Sequence, residues 1–342
     1  MTDGADRRAE LLAMKLRALA SGWGPVGGDA RPRGFPGGAC LVDPAHGRCW
    51  VLLDDAEAPR RMGAALAVAL RSEAQELHLV VDEPEAAGIL ARRAPMFTID
   101  VSVWRSDERS LEPAEPAPRP IELPLASAAE AHRSVILDAG LTPVVENGVL
   151  IGELNGLEVA RVEFDDDGEA RLRPGVGRFD REASTMMFAD LPTPEALART
   201  VELVSRYRAD EIDRHPLKQF VAERWLRSAL VADPSLVGAS ELRPVTSSSP
   251  RRNLNEEAVA TAVGTAADGS DLVVVSSVGV YLDLVPTAAD DRLTHGPDAR
   301  LLLALPERDV VPIITDLADL LVEPAEIVAV PDRWRVLGPP AG

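Results

Sequence analysis

Lysine is nearly absent from this chain: only Lys15 and Lys218 occur in 342 residues, so the 36 basic residues are almost all arginine, set against 55 acidic ones. The formal net charge of −19 gives the molecule a field that repels nucleic acid and anionic membrane, so neither is an expected partner of the chain as a whole. Cysteine is as scarce. Cys40 and Cys49 are the only two, too few for a disulfide framework or a zinc site, and they are expected to be reduced core residues. The five histidines, at 46, 78, 132, 215 and 295, are too dispersed to propose as a metal cluster. Long apolar runs are missing too. The stretch LVVVSSVGVYLDLV from Leu272 contains Ser and Asp and falls short of a membrane span, and the polar N-terminus has no signal-peptide core, so a cytoplasmic location is expected. The sequence contains no phosphate loop ending in Gly-Lys-Ser/Thr and no Gly-x-Ser-x-Gly elbow, which removes support for ordinary NTPase and α/β-hydrolase mechanisms. GVGRFDREA is not a dinucleotide fingerprint, and DDDG at 165–168 lacks the spacing of a calcium loop.

What is present is enough apolar residue, 46%, to build sizeable cores in two or three domains. The Ala-, Arg- and Pro-rich usage matches a bacterial genome of high G+C content. Residues 112–124 hold five prolines, which preclude a helix and mark an extended linker. The expected organisation is an α/β module over 1–111, the linker 112–124, a helix, β-meander and helix over 125–210, and a second α/β module over 211–342. The fold class is mixed α/β.

In the first module a hairpin over 40–54 precedes helix, strand, helix and strand. RRMGAALAVALR from Arg60 puts Met62, Leu66, Ala69 and Leu70 on one helical face, ELHLVV at 76–81 is a buried strand, and TIDVSVW at 98–104 alternates. In the middle segment Ser127 and Glu130 form a capping box for a helix ending at Gly140. Asn147-Gly148, Asn155-Gly156 and Asp167-Gly168 each sit between strand-like runs and predict two-residue hairpins, hence a meander. Thr193 is the expected N-cap of a helix with Leu197, Val201 and Val204 on one face. The last module echoes the first: Gly47 aligns with Gly269, Val51-Leu52-Leu53 with Val273-Val274-Val275, LHLVVDEPE with LLLALPERD, and IDVSV with EIVAV. An internal α/β repeat flanking the meander is expected.

On the order helix, hairpin, helix, strand, helix, strand, with Asp43 on the first hairpin, the two modules resemble the restriction-endonuclease-like, PD-(D/E)xK, nuclease superfamily. The resemblance implies carboxylates that hold a divalent ion and a lysine beside them that helps activate water. The residues depart from that pattern. The Glu-x-Lys position reads Leu53-Asp54-Asp55 in the first module and Val275-Ser276-Ser277 in the last, so both modules read as degenerate, and Asp43, Asp54 and Asp55 are not expected to converge on one point.

The sharper constellation is in the meander. A two-residue turn at Asn155-Gly156 sets Glu153 opposite Glu158, Gly152 opposite Val159 and Ile151 opposite Ala160, with Arg161 on the other face. Two facing carboxylates can form a divalent-metal or cationic-ligand site, with Asp180 or Glu182 beside them and Arg161 or Arg181 in place of the lysine. The plainer reading is a pair of exposed acids near a hairpin tip. Arg251 and Arg252, in the polar loop SSSPRRN, are anion-binding candidates. Three functions are open at this point. The leading expectation is a non-catalytic interaction or scaffold protein without cofactor, having a protein partner or forming a homodimer. The alternatives are a metal-dependent hydrolase or nuclease using Glu153 and Glu158, and a small-ligand regulatory protein.

Overall fold

The computed structural model describes residues 2–35, 37–54, 57–107, 110–177, 192–208, 220–251, 253–254 and 256–336. The fold is mixed α/β and, among the described residues, contains three sheets of six, four and five strands. No helix among the described residues is long and apolar enough to cross a membrane.

Contact within the chain separates two units. One comprises Met1–Arg119, Leu282–Asp290 and Val311–Ala325; the other comprises Pro120–Tyr281, Asp291–Val310 and Glu326–Gly342. The break at Arg119 falls inside the proline-rich segment. Long-range contacts join two C-terminal segments to the first unit. Thr98 N donates to Leu320 O at 2.7 Å, and Val322 N donates to Met96 O at 2.9 Å.

In the first unit, β1 (Pro32–Phe35), β2 (Gly38–Asp43) and β3 (Arg48–Leu53) are antiparallel, while β3, β4 (Glu76–Val81) and β5 (Asp100–Asp107) are parallel. Strands β3 and β4 are buried along nearly their whole length, which explains their continuous apolar runs. One face packs on helix α1 (Thr2–Trp23) through Leu12, Leu16 and Leu19 against Trp50, Leu52 and Val80. The N-terminal segment, unread as a helix in the sequence, thus covers that face. On the helix Met62–Arg71, Met62, Leu66 and Ala69 are buried as the periodicity predicts. Cys40 and Cys49 are free thiols on β2 and β3; burial raises both, Cys49 to about 12, where it is inert.

The second unit carries the meander and the last sheet. In the meander β7 (Thr142–Glu146), β8 (Val149–Leu154), β9 (Leu157–Phe164) and β10 (Ala170–Pro174) are successively antiparallel. Asn147 and Asn155 have φ of 49° and 47°, and the following Gly148 and Gly156 have 73° and 76°. Positive φ at both central residues is the two-residue turn whose twist matches a hairpin. The third connection departs from expectation. Only Gly168 is left-handed there, and Gly168 N donates to Asp165 O while Asp165 N donates to Glu169 O. Asp167 keeps negative φ, so the turn closes over three residues with the glycine as its bulge. The capping box also fails. Ala126 is the N-cap of a four-residue helix, Ser127–Glu130, with no side-chain capping bond, and a second short helix, Arg133–Asp138, follows.

In the last sheet β11 (Ala239–Val245), β12 (Ala260–Ala266) and β13 (Asp271–Ser276) are antiparallel, β13 and β14 (Arg300–Pro306) are parallel, and β15 (Ala325–Val330) is the next neighbour. The order β12-β13-β14-β15 therefore matches β2-β3-β4-β5, and Gly47 and Gly269 occupy left-handed turn positions in the two hairpins.

Candidate functional site

The meander tip is where the sequence places its best pair of acids, and Glu153 and Glu158 do face each other across β8 and β9. Beyond that pair the register shifts: Gly152 faces Ala160 and Ile151 faces Arg161, leaving Val159 as the extra residue of a bulge. An inserted residue reverses the alternation of side chains that follow it. Arg161 is thereby brought to the face of Glu158, contrary to the two-residue repeat, and its guanidinium donates two bonds of 2.7 Å to the Glu158 carboxylate.

Glu153 is not an exposed acid either, being 2% exposed. Arg227, on the helix Ala222–Ala232, donates to both of its oxygens at 2.8 Å, and Arg224, one turn earlier, donates at 3.4 Å. Arg224 also bonds Glu146 at 2.7 Å. Burial pushes the Glu153 carboxyl up, and Arg227 and Arg224 pull it back. Two buried guanidinium groups need counter-charge, so the ionised carboxylate is the form this cluster holds at neutral pH. The tip reaches the helix because residue 156 is glycine: a Cβ there would stand 2.3 Å from Arg224 C and 2.4 Å from Trp225 N. Arg208 fixes the same turn from the other side, donating to Asn155 O at 2.6 Å while lying 4.4 Å over the Trp225 ring; burial lowers its pKa to about 9. Asp180, Arg181 and Glu182 lie outside the described residues.

In the first unit Asp43 and Asp54 are at opposite ends of the β2–β3 hairpin, since Asp43 pairs with Arg48 and Leu53 pairs with Gly38. Asp43 is buried and accepts from His46 Nδ1 at 2.8 Å and Gly27 N at 3.1 Å, bonds that outweigh burial and hold its carboxyl below the usual range. Asp54 accepts from Arg8 at 2.7 and 3.1 Å. Asp55 lies outside the described residues. The parallel register places Asp82 beside Asp54 at the ends of β4 and β3, a neighbouring pair the sequence reading missed. Lys15, from α1, takes Asp82 at 2.6 Å. Asp54 and Asp82 each have their own cation, and no group of three or more His, Cys, Asp or Glu suited to a metal occurs among the described residues.

Arg251 is likewise committed. It donates to Glu223 at 2.6 Å and to the carbonyls of Asn253 and Leu254, with its side chain 7% exposed; Arg252 lies outside the described residues. Sequence reasoning also missed three buried aspartates near 290. Asp283 accepts from Gly63 N at 2.8 Å at the start of the helix Met62–Arg71, and burial raises its pKa to about 6. Asp290 takes Arg92 and Arg93, and Asp291 accepts from Ser248 N and the Ser247 and Thr261 hydroxyls. A lone Asp inside the apolar LDLV and the doublet in AADDRL were the available signals. His78 on β4 is buried and stacks on Trp50 at 4.0 Å, accepting at Nδ1 from Trp104 Nε1 at 3.1 Å.

No family model, no curated protein and no solved structure matches this chain at a significant level.

Proposed function

We propose that this chain is a non-catalytic interaction or scaffold protein of the cytoplasm, built from two α/β modules that form an internal repeat and resemble degenerate restriction-endonuclease-like units. The observation that carries this reading is the internal neutralisation of its acids. Glu153 is bound by Arg227 and Arg224, Glu158 by Arg161, Asp54 by Arg8 and Asp82 by Lys15. A carboxylate that is to ligate a divalent ion must present free oxygens within a few ångströms of other donors, and a guanidinium fork on both oxygens competes for that capacity. The matching strand order of the two modules supports the repeat. The partner is a protein, or a second copy of the chain; the net charge of −19 argues against nucleic acid.

The test is a cleavage assay on DNA and RNA at low salt with Mg²⁺ and Mn²⁺, alongside calorimetric titration of both ions, for wild type, Glu158→Gln and Asp82→Asn. The proposal expects no cleavage and no metal binding above that of the variants. Metal-dependent cleavage abolished by Glu158→Gln or Asp82→Asn would establish the hydrolase reading instead. Light scattering of the eluted chain between 1 and about 100 μM checks self-association, because a reversible dimer gains mass with concentration.

A further inference from the structure

The second unit contains a cavity of about 250 Å³ beside two sheet edges. Strand β7 is an edge strand of the meander and β11 an edge strand of the final sheet, so among the described residues each has one side without a sheet neighbour. Each edge carries a proline, Pro143 and Pro244, which cannot donate to a further strand. The edges are thereby blunted against sheet extension, and the space between them is lined by Leu123, Pro143, Val145, Pro244 and Val245.

We propose that this cavity binds a carboxylate carried on a short apolar chain. Three observations converge on it. The walls combine the aliphatic groups of Leu123, Val145 and Val245 and the two prolines with polar groups, and the volume exceeds the 150 Å³ that suffices for benzene while falling below that of drug-sized pockets. The charges at the rim are unequal. Arg133 is held by Glu130, and Glu122 lies 3.3 Å from His295 Nδ1, whereas Arg243, on β11, is exposed and its side chain makes no ion pair or hydrogen bond among the described residues. In a chain with 55 acids against 36 basic residues, an arginine left over at the mouth of this cavity is a recognition element for an anion. The backbone adds a donor. The two-residue turn at Asn147-Gly148 makes Glu146 and Val149 the hydrogen-bonded closing pair, so by alternation the Val145 N–H faces the free edge of β7.

This site does not depend on the scaffold reading and implies no turnover. The shared chemistry, a carboxylate beside an aliphatic group, could come from a free short-chain acid or from the C-terminus of a peptide ending in an aliphatic residue. Ligand-observed NMR titration of the full chain distinguishes them, using 4-methylpentanoate, its primary amide, N-acetyl-Ala-Val-Leu with a free carboxylate, and the same peptide amidated. Affinity on the order of a millimolar is expected for the free acid, given its size, with at least a tenfold preference over the amide. Saturation by the acid alone identifies a small-molecule site; saturation by both carboxylates, and by neither amide, identifies a site that also takes a chain end. Arg243→Gln should lose at least tenfold, and Arg243→Glu should reverse the preference toward 3-methylbutylamine. The Arg243 side chain is exposed and unbonded, so these variants should retain the wild-type unfolding transition. Equal binding of acid and amide, or wild-type affinity in Arg243→Gln, would overturn the proposal. So would absence of binding at 20 mM acid.

Discussion

Replacing Arg227 with methionine removes the principal partner of Glu153 while keeping an apolar side chain of similar length. Both residues are 2% exposed, so water cannot replace the lost bonds. Removing one member of a buried ion pair costs about 3–5 kcal/mol, chiefly by stranding the other charge. Arg224 remains 3.4 Å from Glu153, which places the expected cost near the lower end, about 3 kcal/mol. For a unit of this size that is a fall in Tm of about 6–12 °C. The penalty must depend on pH with a definite sign. Loss of Arg227 lifts the folded-state pKa of Glu153 further above its unfolded value, and a raised acid contributes stability below its unfolded pKa that is lost as pH rises. The penalty is therefore full at pH 8 and shrinks toward pH 5, where the stranded carboxyl takes up a proton. Replacing both members, as Glu153→Leu with Arg227→Met, should recover most of the loss. Urea unfolding followed by tryptophan fluorescence at both pH values measures these quantities, with the exposed pair Arg206 and Glu202 as a control expected to change by less than about 0.5 kcal/mol. A cost for Arg227→Met within about 0.5 kcal/mol of that control, or one that grows on acidification, would refute the assignment of an ionised, buried pair.

Asp283 should make the first unit less stable as pH rises from about 4 to 6, because its folded pKa of about 6 exceeds the ordinary 3.8. At 1.36 kcal/mol per pH unit the difference is about 3 kcal/mol, and Asp283→Asn should flatten the urea midpoint against pH over that window; an unchanged slope would contradict it. Gly156→Ala should cost more than Gly168→Ala, since both have positive φ but only Gly156 has backbone at 2.3 Å from a new Cβ. About 1 kcal/mol is expected for Gly168→Ala and at least twice that for Gly156→Ala, compared by thermal unfolding; equal losses would mean that the tip does not rest on its helix. His78 should carry its proton on Nε2, because Nδ1 accepts from Trp104, and should titrate below the ordinary imidazole value, because burial disfavours its charge. Nitrogen-15 NMR of the ring reads both, and an Nδ1–H tautomer would show that the Trp104 bond is absent.

The positions of the hairpin turns and the strand–helix order of the first module after its hairpin follow from the sequence, because they rest on local chemistry. Asn-Gly pairs adopt positive φ cheaply, and the apolar spacing of Met62, Leu66 and Ala69 has one helical solution. The facing of Glu153 and Glu158 is local in the same sense, since a two-residue turn fixes the first cross-strand pairs. Tertiary structure decided the rest. The bulge at Val159 depends on how β9 curves onto its neighbours, and it alone makes Arg161 a partner of Glu158. Arg227 reaches Glu153 from 74 residues away, and Lys15 reaches Asp82 from 67. Turn propensity and periodicity act within a few residues, but whether a carboxylate is free depends on which cation the finished packing brings beside it. That is why the acids were legible in the sequence and their neutralisation was not.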